Sequence, residues 1–248
     1  MIPDINAILD SMRLDSTQSS DGTDKRTLHS YVDSVYQPLI NSTFLPKSIL
    51  EIGTFRGGSL ALWTQCFPKS HVTSIDINIS NLRNRLAINA LGAGKATLIE
   101  GDAYSNSAIM KGTYDWIIDD GPHTLHSQEI ALSFVRFLNT PGILIIEDIP
   151  FSLTHIRRLF NIKFSINDLE IFFIPLFLKK GRFDDCVLIV ARGISIGNVF
   201  HEGYYLDEMS NHRFFFMYLM TIVLRPISLF RSKAQRLLHK KIQFKRTT

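Results

Sequence analysis

From residue 48 to residue 192 the chain alternates short apolar runs with segments whose apolar residues recur at helical spacing. Residues 48–52, 71–76, 96–100, 116–120 and 142–148 read as strands. Two of them, 116–120 and 142–148, are nearly unbroken Ile and Leu before they turn acidic, the pattern of a strand covered on both faces. Residues 59–67, 79–91 and 127–138 read as the helices between them. Strand, helix and strand in this order predict a parallel sheet with helices on both sides. The rhythm changes after residue 150. Residues 169–176 and 185–191 are two β-rich runs joined through Lys179-Lys180-Gly181-Arg182, which predicts an antiparallel pair closing the sheet.

The expected fold is therefore α/β, a Rossmann-like, doubly wound, mostly parallel sheet of seven strands with a terminal antiparallel hairpin. Residues 1–47 read as an N-terminal helical segment with a polar break at 16–23, residues 48–200 as the sheet domain, and residues 201–248 as a basic amphipathic helical tail. At 248 residues and 45% hydrophobic the chain is long enough to bury a full core. Cys66 and Cys186 lack metal-type spacing, and the N-terminus lacks a basic start with an apolar core, so the expectation is a cytoplasmic protein in a reducing compartment.

Charge adds one feature that the pattern does not. Of the 27 Lys and Arg, nine fall at positions 213–248, where there is no Asp or Glu. Residues 1–212 hold 18 basic against 23 acidic residues, so an acidic body carries a basic tail. The apolar run 214–224 in that tail is too short to span a bilayer, and Pro226 prevents its extension as a regular helix. Peripheral contact with an anionic membrane at the inner face, or packing on the domain or on a second copy in a homo-oligomer, are the two expectations. The basic tail also suits nucleic acid, but no recognised nucleic-acid module accompanies it.

Candidate chemistry lies where the strands end. Asp119-Asp120-Gly121-Pro122-His123 and Glu147-Asp148 each close an apolar run, and the carboxyl edge of an open α/β sheet is where ligands bind. Two carboxylate pairs there suit a hard cation such as Mg²⁺, with His123 as a base beside it. The turn after the first strand, Glu51-Ile52-Gly53-Thr54-Phe55-Arg56-Gly57-Gly58, has Phe55 where a dinucleotide fingerprint needs its second glycine, which disfavours NAD and FAD. A phosphate-free ligand fits better, with its amino-acid end at Gly53, Thr54, Gly57 and Ser59 and its ribose hydroxyls on Asp76. Asp102 is then the acceptor for an adenine amino group. That ligand is S-adenosylmethionine.

Glu51-Ile52-Gly53-x-x-x-Gly57, Asp76 and Gly101-Asp102 resemble the cofactor motifs of class I S-adenosylmethionine-dependent methyltransferases. Asp24-Lys25, His29-Ser30-Tyr31, Tyr36, Asp119-Asp120-Gly121-Pro122-His123 and Glu147-Asp148 are similar, in order, to the metal-dependent sugar O-methyltransferases related to the mycinamicin glycoside enzymes. The resemblance covers about residues 21–192 and implies that Asp120, Glu147 and Asp148 ligate the metal and that His123 is the catalytic base. It implies cofactor contacts for Glu51, Phe55 and Asp119, the last in either a structural or a cofactor-side role. Members of that group often carry Ser in place of Pro122.

Other polar residues have plainer readings. Lys25 and His29 read as solvated helix residues or as direct participants, His126 as a helix-surface residue, and Trp63 and Phe67 as core of the first sheet helix. The leading functional expectation is Mg-dependent methyl transfer to a sugar hydroxyl of a glycan, glycolipid or glycosylated natural product. A catechol-type O-methyltransferase and a non-catalytic protein of the same fold are the alternatives.

Overall fold

The computed structural model describes residues 2–162, 166, 168–180, 182, 184–200 and 204–205. The basic tail at 213–248, with its apolar run, lies outside the described residues. The elements in chain order are α1 (Ile5–Ser11), a π-helical turn Val32–Tyr36 leading into α2 (Gln37–Ser42), β1 (Ser48–Ile52), α3 (Gly58–Cys66), β2 (His71–Asp76) and α4 (Arg85–Gly92). Next come β3 (Ala96–Glu100), β4 (Tyr114–Asp119), α5 (Leu125–Ala131) with a 3₁₀ extension Leu132–Phe137, β5 (Leu138–Ile149), α6 (Leu153–Phe160), β6 (Leu169–Pro175), α7 (Phe177–Lys180), β7 (Cys186–Arg192) and β8 (Tyr204–Tyr205).

The strands form one sheet in the order β3-β2-β1-β4-β5-β7-β6-β8. Pairing is parallel from β3 to β5, and antiparallel between β5 and β7, β7 and β6, and β6 and β8. The expected antiparallel closure is present. Among the described residues an eighth, two-residue strand joins the seven expected ones, as Tyr204 and Tyr205 pair with Phe173 and Phe172 at the edge. Two residues are too few to leave a periodic signal in the sequence.

The unbroken apolar runs split cleanly once pleated, since successive strand side chains point to opposite faces. Ile49, Trp116, Ile118, Ile143, Ile145 and Ile189 join the core on one face. Leu50, Ile117, Leu144, Ile146, Leu188 and Val190 join the core on the other. Trp63 and Phe67 are buried in the first of these, as expected. Both cysteines are buried. Among the described residues no helix is long and apolar enough to cross a membrane.

Register sets the position of the site. Ile52 pairs with both Ile75 and Asp119, and Asp119 pairs with Ile146, so Gly53, Asp76, Asp120 and Glu147 leave the sheet side by side. The direction of strand order reverses between β1 and β4, which opens the crevice there.

The N-terminal segment departs from its expected helicity. Between α1 and the π-helical turn the backbone runs through turns, with an isolated bridge between Asp15 and Thr23. Asp15 is fully buried and organises this stretch, accepting hydrogen bonds from Thr17 N, the Thr17 and Thr27 hydroxyls and Arg26 Nε. Its side chain offers the backbone an alternative to helix. A Cβ on Gly22 would stand 2.4 Å from the Leu14 carbonyl, and one on Gly58 2.4 Å from Gly22, so this loop lies against the start of α3 and over the sheet edge.

Candidate active site

A cleft of about 670 Å³ opens at the carboxyl edge. Its walls come from the β1 turn, the ends of β2 and β3, the loop after β4, Asp148 at the end of β5, and residues 22–24 of the N-terminal segment. Gly53, Thr54, Phe55, Ser59, Asp76, Asp102, Asp120 and His123 all line it.

The half of the cleft beside β1, β2 and β3 is held by backbone. Asp76 Oδ2 accepts from Thr54 N and Phe55 N, both at 2.8 Å, and Oδ1 accepts from Asn78 N at 2.8 Å. The acid thereby ties the β1 turn to the β2 turn while still facing the cleft. Gly53 has φ +96°, and a Cβ there would stand 2.0 Å from the Asp120 carbonyl, so only glycine lets the β1 turn cross the β4 end this closely. Asp102 Oδ1 accepts from Tyr104 N at 2.9 Å and Ser105 N at 3.3 Å, and the Tyr104 amide holds its carboxyl below the usual range. Phe55 and Ile77, at 63% and 72% exposure, leave apolar surface on the rim for a ligand to cover.

Three residues expected to touch a cofactor stand behind the wall. Glu51 is fully buried and accepts from Trp63 Nε1 at 2.9 Å. Burial raises its pKa to about 7. Gly57, at φ +88°, heads α3, where a Cβ would meet Leu82 at 2.4 Å. Asp119 is buried and accepts from the Tyr104 hydroxyl, and burial raises its pKa to about 7. Its carboxylate faces Tyr104 and does not line the cleft. The alternation of β4 explains this, since Asp119 and Asp120 point to opposite sides of the strand.

The half of the cleft beside β4 and β5 is held by long-range charge. His123 Nε2 lies 3.4 Å from Asp148 Oδ2 and 3.8 Å from Asp120 Oδ1. One donor atom from each of these three residues lies within 4.8 Å of the other two. Two carboxylates and an imidazole at this spacing fit a divalent cation. His123 and Asp148 have φ of +54° and +52°, a conformation that costs a non-glycine residue about 1–3 kcal/mol. At Asp148 the surroundings enforce it. Gln128 Nε2 from α5 donates to the Glu147 and Asp148 carbonyls at 3.1 and 3.2 Å, and the Tyr31 hydroxyl accepts from Asp148 N at 3.1 Å while donating to Oδ1.

Glu147 turns away from this group. Its carboxylate is 1% exposed, does not line the cleft, and accepts from Lys25 Nζ and the Tyr36 hydroxyl. Of the three expected ligands, Asp120 and Asp148 thus border the cleft beside His123, and Glu147 stands behind it against Lys25 and Tyr36.

Lys25 and His29 are buried in turns, at 1% and 4% exposure, and are not solvated helix residues. Burial alone would lower the pKa of Lys25, but the charges of Asp120 and Glu147 outweigh it and hold the ammonium protonated. His29 Nδ1 contacts Asp185 and lies 3.2 Å from Asp148 Oδ1, and its ring stacks on Tyr31 at 4.7 Å. Its burial disfavours charge, yet the bonds to Asp185 and Asp24 and the charge of Asp148 raise it to about 11. Asp185, fully buried at the foot of β7, and Tyr104 were not among the expected site residues. An acid set directly before an apolar strand was the only signal for Asp185. His126, exposed on α5, lies on the helix surface as expected and also borders the cleft.

No family model matches the chain, and no curated protein matches it either. Solved structures do. A Klebsiella pneumoniae protein assigned as an O-methyltransferase aligns at TM-score 0.50 and 14% identity over 76% of this chain and 96% of its own. The chain has the class I methyltransferase fold. The plantazolicin methyltransferase BpumL, solved with a pentazolic desmethyl-plantazolicin analogue and S-adenosylhomocysteine, aligns at TM-score 0.50 and 16% identity over 77% of this chain and 93% of its own.

Proposed function

We propose that this chain is an S-adenosylmethionine-dependent O-methyltransferase that uses a divalent cation and acts on a hydroxyl of a sugar-containing acceptor. The observation that carries the reading is one shared cleft, with Asp76 fixed by three backbone amides at one end and His123 set between Asp120 and Asp148 at the other. The likeness to solved methyltransferases supports the fold on which this reading stands.

When bound, S-adenosylmethionine supplies a methyl group on a positively charged sulfur. Asp76 accepts its ribose hydroxyls, and Asp102 faces the base at the β3 end. Fixing donor and acceptor in line contributes several kcal/mol to the barrier reduction. Asp120 and Asp148 would hold a divalent cation, whose positive charge would acidify a nearby hydroxyl. His123 Nε2 would take the acceptor proton as the carbon–oxygen bond forms and the methyl carbon–sulfur bond breaks, its electron pair left on the sulfur of S-adenosylhomocysteine. Asp120 and Asp148 orient the ring for that transfer, and the left-handed backbone at 123 and 148 aims both side chains into the cleft. A sugar hydroxyl needs a base more than an acidic phenol does, which favours the sugar reading over the catechol-type one.

The tail extends the proposal to location. Nine basic and no acidic residues at 213–248 suit an anionic membrane surface, where lipid-linked glycans would be the acceptors. The deciding experiment presents purified protein, S-adenosylmethionine and Mg²⁺ with free and lipid-linked glycans and follows methyl transfer by mass spectrometry. Transfer that survives exhaustive chelation removes the cation from the mechanism. Transfer to catechols alone replaces the acceptor class.

A further inference from the structure

Glu147 and Asp120 carry charge that the cleft does not explain. The Glu147 carboxylate is 1% exposed and has both oxygens committed, Oε1 to the Tyr36 hydroxyl and Oε2 to Lys25 Nζ. The same ammonium lies 2.8 Å from Asp120 Oδ2 and 5.9 Å from the centroid of the Tyr36 ring. A lysine ammonium has three donors and no acceptor, so two carboxylates and an aromatic face give it a complete environment away from water. Asp120 divides its oxygens. Oδ2 faces Lys25, while Oδ1 faces His123 across the cleft.

We infer that Lys25 is the resident cation of Glu147 and Asp120, so that Glu147 positions an ammonium and the carboxylates that serve the cleft's divalent ion are Asp120 and Asp148, with His123 beside them as the base. This rests on the proposed cation use and refines which residues serve it. A dication ligated by Glu147 would sit beside the Lys25 ammonium, and two like charges in a dry site repel strongly. Lys25 also fixes the rotamer of Asp120, which leaves Oδ1 turned to the cleft. It is a positioning residue, reached by the N-terminal turns that place it 95 residues from Asp120 and 122 from Glu147 in sequence.

Mn²⁺ binding to the full chain, followed by electron paramagnetic resonance without S-adenosylmethionine or acceptor, separates this inference from the methyltransferase reading. Glu147→Gln should keep the wild-type Mn²⁺ affinity within about threefold, whereas Asp148→Asn should weaken it by more than about thirtyfold, the loss expected for a charged ligand. Equal losses in the two variants overturn the inference, because Glu147 then ligates the ion. Lys25→Met should bind Mn²⁺ at least about tenfold more tightly, since the carboxylate pair loses its cation. If wild type binds no Mn²⁺ and Lys25→Met does, Lys25 has replaced the metal outright and the cation step of the proposed function fails alone. If neither binds, or if Lys25→Met does not fold, thermal melting decides: adding Glu147→Gln to Lys25→Met should recover more than half of the lost Tm or restore folding. No recovery overturns the pairing.

Discussion

The two halves of the cleft are built by different means. On the β1, β2 and β3 side, one carboxylate, Asp76, is fixed by backbone amides of residues 54, 55 and 78 in the two adjoining turns. On the β4 and β5 side, Asp120, Glu147, Asp148 and Asp185 are fixed by Lys25, His29, Tyr31 and Tyr36, delivered from more than 90 residues away. The first half needs only the correct turn. The second requires the N-terminal segment, the sheet and the β6–β7 hairpin to be assembled before any of its charges is compensated. A binding surface made by backbone tolerates side-chain change around it, and one made by buried ion pairs does not.

The sharpest test of the division is to remove chemistry from one half and read the other. His123→Ala should lower kcat by about 10²–10⁴-fold, the usual range for a lost general base, with S-adenosylhomocysteine affinity unchanged within about twofold. Calorimetry beside single-turnover kinetics checks it. A parallel fall in cofactor affinity would merge the halves.

Removing a buried partner should cost stability only on the charge-held side. Asp185→Ala leaves His29 facing Asp148 and Asp24 with its strongest contact gone, and should cost about 3 kcal/mol or more in urea unfolding. A loss below about 1 kcal/mol would mean that the His29 cluster is not what holds this half together.

Asp76→Ala acts on the other side and should be milder in stability but selective in binding. S-adenosylhomocysteine affinity should fall about 10–100-fold, since hydrogen bonds to a charged acceptor contribute about 1.5–3 kcal/mol. Mn²⁺ binding should stay at the wild-type level. Unchanged cofactor affinity would move the ribose contact elsewhere.

The smallest effect concerns pH. Glu51, behind the β1 turn, has its pKa raised by burial from 4.5 to about 7, so the native state holds its proton more tightly than the unfolded chain does. Its contribution to stability is therefore full below pH 4.5 and is lost as pH rises through about 7. Glu51→Gln cannot lose that proton. The variant's advantage over wild type should grow between those pH values and level off above them, which urea titrations at several pH values would reveal. A constant difference across the window would show that Glu51 stays ionised.

What could be read along the chain was whatever depends on neighbours. Apolar runs and helical spacing set the five parallel strands and the antiparallel pair, because burial on two faces imposes a pattern on each strand by itself. Asp76, Asp120, His123 and Asp148 were legible for a similar reason: each stands at the end of a strand or in the loop after it, and sheet register carries strand ends to one edge. Tertiary structure alone decided the direction of each acid and its partner. Asp119 and Asp120 look identical in sequence, yet the pleat buries one against Tyr104 and opens the other to the cleft. Glu147 and Asp148 are neighbours in sequence, yet the N-terminal turns bring Lys25 and Tyr36 against the first while the second borders the cleft. Local spacing cannot encode that outcome, since a buried charge is satisfied by whatever group the fold places within about 3 Å, however distant in the chain.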